Sequence, residues 1–442
     1  MLYKPPKKAQ LTGQRVEVRV EQADYEANGI ARYQQKIVFI DGAIPGEHVQ
    51  IKITEDKAGF LKARTEKVLS ASPLRVTPFC AHYRHCGGCQ LQHLEPAQQV
   101  LLKQQGVDEL IRHQTGLTVL PWQALLTGPD RGYRRKARIG VWFDKKQKQV
   151  VVGFRQTASK EITAISSCAV LSPVLAPIFT VLKSVVARLP QPGMVTHAEV
   201  IDAEGQAYVI IRHTAPLTQA QQEAFIAAWP DAIWLGEAEA GELSYWQSNS
   251  AAPAYRLTEQ QLTLAFAPDD FIQVNATVNQ KMVSQAVEWL APGPEDCILD
   301  LYAGMGNFSL ALAQRAKLVH GIEGLTKMVQ QANLNAVANQ LGNVRFWQAD
   351  LHLPWGKSDW HQPIYHKVLL DPARAGAQGA VQQVVKLKPA QILYISCNAA
   401  TFARDAKVLL AAGYHLQKIA GIDMFPHTGH LELMALFDTQ KR

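Results

Sequence analysis

From about residue 270 onward, short apolar runs alternate with stretches of helical character, and this alternation restricts the fold more than any other feature of the chain. CILDLY, LVHGIE, KVLLD and QILYIS read as strands buried on both faces, with QKMVSQAVEWL and TKMVQQANLNAVANQ as helices among them. Parallel strands need crossover connections, and the helices that provide them cover both faces of the sheet. The pattern therefore predicts a doubly wound α/β domain over residues 269–442. In such sheets ligands bind beyond the carboxyl ends of the strands, so the residues that close each strand are the first candidates for chemistry.

The remainder of the 442-residue chain is too long for one ordinary core. Residues 1–11 are basic and proline-rich and read as a loose arm. Over 12–72, short alternating runs separated by Gly, Pro and Asp turns predict a small antiparallel barrel. Residues 76–94 hold a cysteine cluster, and residues 95–116 read as a helix with Pro96 near its start and Gly116 just past its end. Alternating runs return over 125–268 and predict a second, mostly antiparallel domain. No apolar run is long enough to span a bilayer and the first residues lack an apolar signal core, so a cytoplasmic protein is expected. The net charge of +7 fits a polyanionic partner without requiring one.

Three strand ends suit a nucleoside. The first strand runs into Asp300-Leu301-Tyr302-Ala303-Gly304-Met305-Gly306-Asn307, whose glycines let a ligand approach the backbone. The next ends at Glu323, suited to ribose hydroxyls, and a third is followed by Asp350, suited to an adenine amino group. Acids after successive strands fit an adenosine without phosphates better than an anionic dinucleotide, although each acid taken singly is equally well a solvated strand end. Asp371-Pro372 closes KVLLD, and Ser396-Cys397-Asn398 closes QILYIS directly before a helix. A cysteine near a helix N-terminus has a stabilised thiolate, which makes Cys397 a candidate nucleophile. The alternative, a buried inert cysteine, fits Cys297 at the opening of an apolar strand better than it fits Cys397. Glu432, in an apolar strand, is either a buried carboxylate suited to proton transfer or a strand-edge acid facing water.

FIQVN (Phe271–Asn275), DLYAGMGNFS, LLDPARAG, YISCN and the closing DMFPHTGHLE together resemble the RNA uracil-C5 methyltransferase family along essentially the whole chain. That resemblance implies S-adenosylmethionine as cofactor, Cys397 as the nucleophile that attacks C6 of a uracil, and Glu432 as the base that removes the C5 proton. It implies Gln273, Tyr302, Asn307, Glu323, Asp350 and Asp371 around the cofactor, with Phe271 stacking on the target base. By the same resemblance residues 95–124 belong with the methyltransferase domain. Tyr302 and Asp350 stand where relatives carry Phe and Asn.

Cys80, Cys86, Cys89 and Cys168 could hold zinc or an iron–sulfur cluster, and with His82, His85 and His93 nearby the spacing alone favours zinc. The arrangement is, however, similar to the [4Fe-4S] site of the ribosomal family members, and the barrel resembles a TRAM domain, an RNA-binding module. The transfer RNA member lacks both. The expectation is therefore a monomeric enzyme acting on 23S ribosomal RNA, with no membrane partner. The rivals are a transfer RNA methyltransferase and a ribosome assembly factor whose methyltransferase domain is inactive. A second basic stretch, Arg131, Arg134, Arg135, Lys136 and Arg138 beside Tyr133, is divided between RNA contact and simple solvation.

Overall fold

The computed structural model describes residues 11–238, 241–248, 250–356, 358–361 and 364–439. The expected basic arm lies almost wholly outside these residues. The described chain divides into two compact units. The first comprises the N-terminal segment to Tyr83, residues 89–110 and the short segment His427–His430. The second comprises Arg84–Gly88, Ile111–Pro426 and the C-terminal segment from Leu431.

In the first unit, six strands between Arg15 and Ser70 form a sheet whose two end strands, Arg15–Arg19 and Gln22–Ala23, are neighbours in sequence. The sheet thus curls back on itself as a small barrel around Val38, Ile40, Val49, Ile51, Ile53 and Leu61. It is not wholly antiparallel as expected, because Lys36–Asp41 and Phe60–Ser70 pair in parallel. The long strand His48–Asp56 lies between them in sequence and supplies the crossover that a parallel pair requires. The helix Pro96–Thr115 ends where Gly116, at φ 79°, turns its N–H to the Arg112 carbonyl. The unit boundary falls within this helix.

The second unit contains two seven-stranded sheets and a short two-stranded ribbon. One large sheet, from Lys136 to Tyr245, is antiparallel except where Gln206–His213 and Ile233–Glu237 run parallel, joined by the helix Gln219–Ala228. Alternate residues of its strands, among them Ala137, Ile139, Val141, Ala198 and Val200, pack under Ile178, Val181, Leu182 and Val185 of the helix Ile178–Val186. The last sheet has the order Val344–Gln348, Leu318–Glu323, Cys297–Leu301, Lys367–Leu370, Gln391–Ser396, Glu432–Asp438, His415–Ile422. Its first five strands are parallel and the last two antiparallel to their neighbours. Among the described residues no helix is long and apolar enough to cross a membrane.

Candidate active site

The register of the last sheet brings its strand ends to one edge. Leu301 lies between Ile322 and Leu370, Ile322 lies beside Trp347, and Leu370 beside Tyr394. The residues that follow, Tyr302, Glu323, Asp350, Asp371 and Cys397, therefore emerge at the same side. Ser396 faces Leu433 across an antiparallel pair, so the strand that opens with Glu432 starts at the edge where the parallel strands finish.

Backbone conformation shapes the loop after Leu301. Tyr302, Gly304 and Gly306 all have positive φ, and a Cβ on Gly306 would press on Leu310 and Phe346 at 3.1 Å. Glu323 clasps this loop, its carboxylate accepting the Gly304 N–H at 3.1 Å and the Leu325 N–H at 3.0 Å. Asp350 accepts the His352 N–H at 2.9 Å. The Tyr302 hydroxyl is buried without a partner among the described residues, and burial pushes it up to about 12. Asn307 uses its amide internally. Its Oδ1 accepts from the Tyr255 hydroxyl at 2.8 Å and from Asn279 at 3.1 Å, and its Nδ2 donates back to Asn279 at 3.0 Å. These bonds fix its place in the loop.

Three contributors escaped the sequence reading. Asp300 is fully buried, holds the Ser309 hydroxyl, and is pushed up to about 7 chiefly by that burial. Tyr255 lies on the ribbon strand Ala254–Leu257, with nothing in its alternation to mark it out. Asn279 did leave a signal. It is a polar residue on the buried stripe Val278, Met282, Val283, Ala286 and Leu290 of the helix Ala276–Leu290, where an apolar side chain is the rule.

Cys397 sits between the strand Gln391–Ser396 and the helix Ala399–Ala411. Asn398 caps that helix, taking the N–H groups of Ala400 and Thr401 at 3.0 and 3.2 Å. The thiol is not the stabilised thiolate that its place before a helix suggested. Burial, and then the carboxylates of Glu432 and Asp371, push it up to about 11 against the opposing charge of Arg374. Desolvation and two nearby acids outweigh a helix terminus whose first N–H groups are already bound. Glu432 is buried, at 7% exposure, which removes the water-facing alternative. Burial and the charge of Asp371 push it up to about 8, and burial pushes Asp371 up to about 7. His427 and His430 of the closing motif belong to the first unit, where the His427 N–H and ring meet the Gln99 amide and the His430 carbonyl receives Lys103.

Two members of the basic stretch are struts. Arg135 is buried, donates from Nε to the Gln273 carbonyl at 2.8 Å, and lies 4.6 Å over the Tyr255 ring. Lys136 donates to the carbonyls of Pro268 and Asp270 at 2.9 and 2.6 Å. Between them they hold the segment that presents Phe271, which is 69% exposed. Arg134 approaches the Phe425 ring, and exposed Arg138 pairs with Glu199.

Of the four clustered cysteines, Cys80 and Cys89 belong to the first unit and Cys86 and Cys168 to the second, where both lean on the core beneath the mixed sheet. Among the described residues no three His, Cys, Asp or Glu side chains are grouped so as to hold a metal ion.

Comparison with known proteins agrees with this architecture. Residues 9–65 match the TRAM domain, and residues 245–350 and 359–440 match the tRNA (Uracil-5-)-methyltransferase family. The chain is 42% identical, over 98% of its length and 98% of the relative's, to the 23S rRNA (uracil(1939)-C(5))-methyltransferase RlmD of Vibrio cholerae. It is 42% identical to the protein of that name from Pectobacterium carotovorum, over 95% of this chain and 93% of that one. Among solved structures, the tRNA (uracil-54, C5)-methyltransferase of Pyrococcus abyssi, in complex with S-adenosyl-L-homocysteine, superposes with a TM-score of 0.74. That match covers 96% of this chain and all of the other at 21% identity, and so speaks to the fold alone.

Proposed function

The chain belongs to the RNA uracil-C5 methyltransferase family, and from that premise we propose that it converts a uridine of 23S ribosomal RNA to 5-methyluridine, with S-adenosylmethionine as methyl donor. The names of its relatives put that uridine at position 1939, and the equivalent nucleotide is our assignment here. One observation carries the reading: a thiol and two carboxyl groups with raised pKa values stand at the same sheet edge as the glycine loop.

C5 of uracil is a weak nucleophile while its ring is conjugated. In the proposed reaction Cys397 Sγ bonds to C6 and the C5–C6 electron pair moves onto C5 and the adjoining carbonyl. Asp371 and Glu432, near enough to hold the thiol protonated, are the groups suited to receive its proton. Once C5 bears the methyl group and any proton that Glu432 received from the thiol has passed to solvent, ionised Glu432 takes the remaining C5 proton, the double bond re-forms, and the C6–S bond breaks to free the cysteine. A base with a pKa of about 8 suits that task near neutral pH. Phe271 is exposed as a stacking face for a base drawn out of its helix.

When bound, S-adenosylmethionine supplies an electrophilic methyl group. Gln273, Tyr302, Asn307, Glu323, Asp350 and Asp371 would hold it, with Asn279 keeping Asn307 in place. The Tyr302 hydroxyl and Asp300 Oδ1, both buried and without partners among the described residues, fit a polar ligand at this loop.

Around this centre we read three parts: the TRAM barrel of 12–72 for RNA, a central part of 76–94 and 125–268, and a methyltransferase part of 95–124 and 269–442. The [4Fe-4S] cluster on Cys80, Cys86, Cys89 and Cys168 rests on the likeness of this cysteine arrangement to that of the ribosomal family members, and no step of the reaction passes through it. Anaerobically purified protein should be brown and contain iron, and Cys89→Ala should be colourless. One zinc per chain in a colourless preparation would dismiss the cluster. The function itself is tested by mapping 5-methyluridine in 23S ribosomal RNA from a deletion strain. The modification should vanish, return with the wild-type gene, and stay absent with Cys397→Ala. A deletion strain that keeps its 23S modification and loses one in transfer RNA would reverse the assignment.

A further inference from the structure

The mixed sheet of the second unit has a second face, and part of it is open. Along the strand Lys136–Asp144, Ala137, Ile139 and Val141 turn to the helix-covered core, so Lys136, Arg138, Gly140 and Trp142 share the opposite face. On the neighbouring strands Ile201, Tyr208, Ile210 and Leu235 of that face pack into the methyltransferase core. Farther along, the face lines a groove of about 1080 Å³ bounded by Arg138, Trp142, Arg155, Lys160, Thr196 and His197.

Two properties of this groove point to one kind of occupant. Trp142 is 52% exposed, an unusual place for a large apolar ring on a strand that otherwise buries its apolar residues. Arg138, Arg155 and Lys160 line the groove with it. Arg155 and Lys160 are exposed and carry no ion pair among the described residues, and neither do Lys145, Lys146 and Lys148 at the tip of the hairpin that Trp142 belongs to. Asp144 and Glu161 are the acids beside them, and Glu199 pairs with Arg138 on the same face. An exposed ring among unpaired cations is the composition that holds single-stranded nucleic acid, by base stacking and phosphate contact. The strand face that lines the groove also runs to the segment that presents Phe271. Lys136, on the same strand face, grips Asp270, the residue before Phe271. From Lys136 to Trp142 the strand spans about 20 Å at about 3.4 Å per residue.

We propose that this groove is a binding track for the single-stranded ribosomal RNA flanking the target uridine, with a base stacked on Trp142 and phosphates met by Arg155, Lys160 and the hairpin lysines. The proposal rests on the rRNA methyltransferase reading, and its test separates the two. The full-length enzyme is assayed on a 23S ribosomal RNA fragment carrying the target, alongside Trp142→Ala, Trp142→Phe and the triple variant K145A/K146A/K148A. Trp142→Ala should raise the RNA KM about tenfold, and Trp142→Phe, which keeps a stacking face, should restore most of the loss. The triple variant should lower the slope of log affinity against log salt by about 0.7 for each phosphate that is no longer neutralised. Maximal rate and S-adenosylmethionine affinity should stay at wild-type values in all three, which also certifies their fold. Unchanged RNA affinity in Trp142→Ala, or an undiminished salt slope in the triple variant, overturns the track. A wild-type enzyme that fails to methylate the fragment overturns the functional reading instead.

Discussion

The two seven-stranded sheets of the second unit treat charge in opposite ways. At the edge of the parallel sheet, Asp300, Asp371, Glu432 and Cys397 are all raised in pKa, in each case chiefly by burial. On the open face of the mixed sheet, Arg155, Lys160 and the hairpin lysines stand in water. A proton-transfer site profits from removing water, because desolvation lifts carboxyl pKa values toward neutrality and strengthens every charge nearby. A recognition surface profits from keeping it, because phosphates are met through exposed cations that release counterions. Variants at the parallel edge should therefore change rate with little response to salt, whereas variants on the open face should change RNA affinity in a salt-dependent way.

The sharpest test of that contrast lies at Cys397 and Glu432. Cys397→Ala should abolish turnover at any ionic strength. Glu432→Gln should add the cysteine and accept the methyl group but fail to eliminate, lowering turnover by at least the factor of about 10²–10⁴ ascribed to a general base. RNA should then stay attached through Cys397 and appear as a slow band on a denaturing gel, absent from the double variant Cys397→Ala, Glu432→Gln. Normal turnover in Glu432→Gln would move the base elsewhere.

The strand-end residues were legible in the sequence because each closes an apolar run, and parallel register then gathers what lies tens of residues apart: Tyr302 follows Leu301, Glu323 ends its strand, and Cys397 follows Ser396. What no pattern carried was the electrostatics. The place of Cys397 before a helix argued for a lowered pKa, yet burial in the folded sheet raises it, and Glu432 and Asp371, each from a different strand, add their charges to the rise. The basic stretch misled in the same way. Arg135 and Lys136 have the composition of an RNA contact, but the carbonyls that capture them belong to Pro268, Asp270 and Gln273, more than a hundred residues downstream. The hairpin tip, lacking such partners, keeps its lysines exposed.

A smaller effect is expected at Asp371. Its charge raises both Glu432 and Cys397, so Asp371→Asn lowers both pKa values. Ionised Glu432 is the reactive form, so single-turnover rates should rise with pH toward about 8 in the wild-type enzyme and the rising limb should lie at lower pH in Asp371→Asn, whatever happens to the maximal rate. Burial, the larger cause, is untouched, so the limb should remain above the ordinary carboxylate range. A limb displaced upward would mean that Asp371 does not act on these groups through its charge.

The smallest effect belongs to Tyr255, which touches the proposed chemistry only through other residues. Its hydroxyl donates to Asn307 Oδ1 at 2.8 Å, and its ring lies under the Arg135 guanidinium, which in turn holds the Gln273 carbonyl. Tyr255→Phe deletes one hydrogen bond and keeps the ring. Asn307 retains its reciprocal pair with Asn279, so the glycine loop should loosen without collapsing. A neutral hydrogen bond is worth about 1 kcal/mol, which corresponds to an S-adenosylmethionine KM raised about fivefold. The RNA KM and its salt slope should not move, because the open face of the mixed sheet is unaltered. Isothermal titration with S-adenosyl-L-homocysteine separates this from a general loss of stability, since a loosened loop weakens the ligand while the unfolding midpoint of the free protein stays nearly the same. Ligand affinity unchanged in Tyr255→Phe would show that Asn279 alone is enough to hold Asn307, and that the two sheets are not linked through Tyr255.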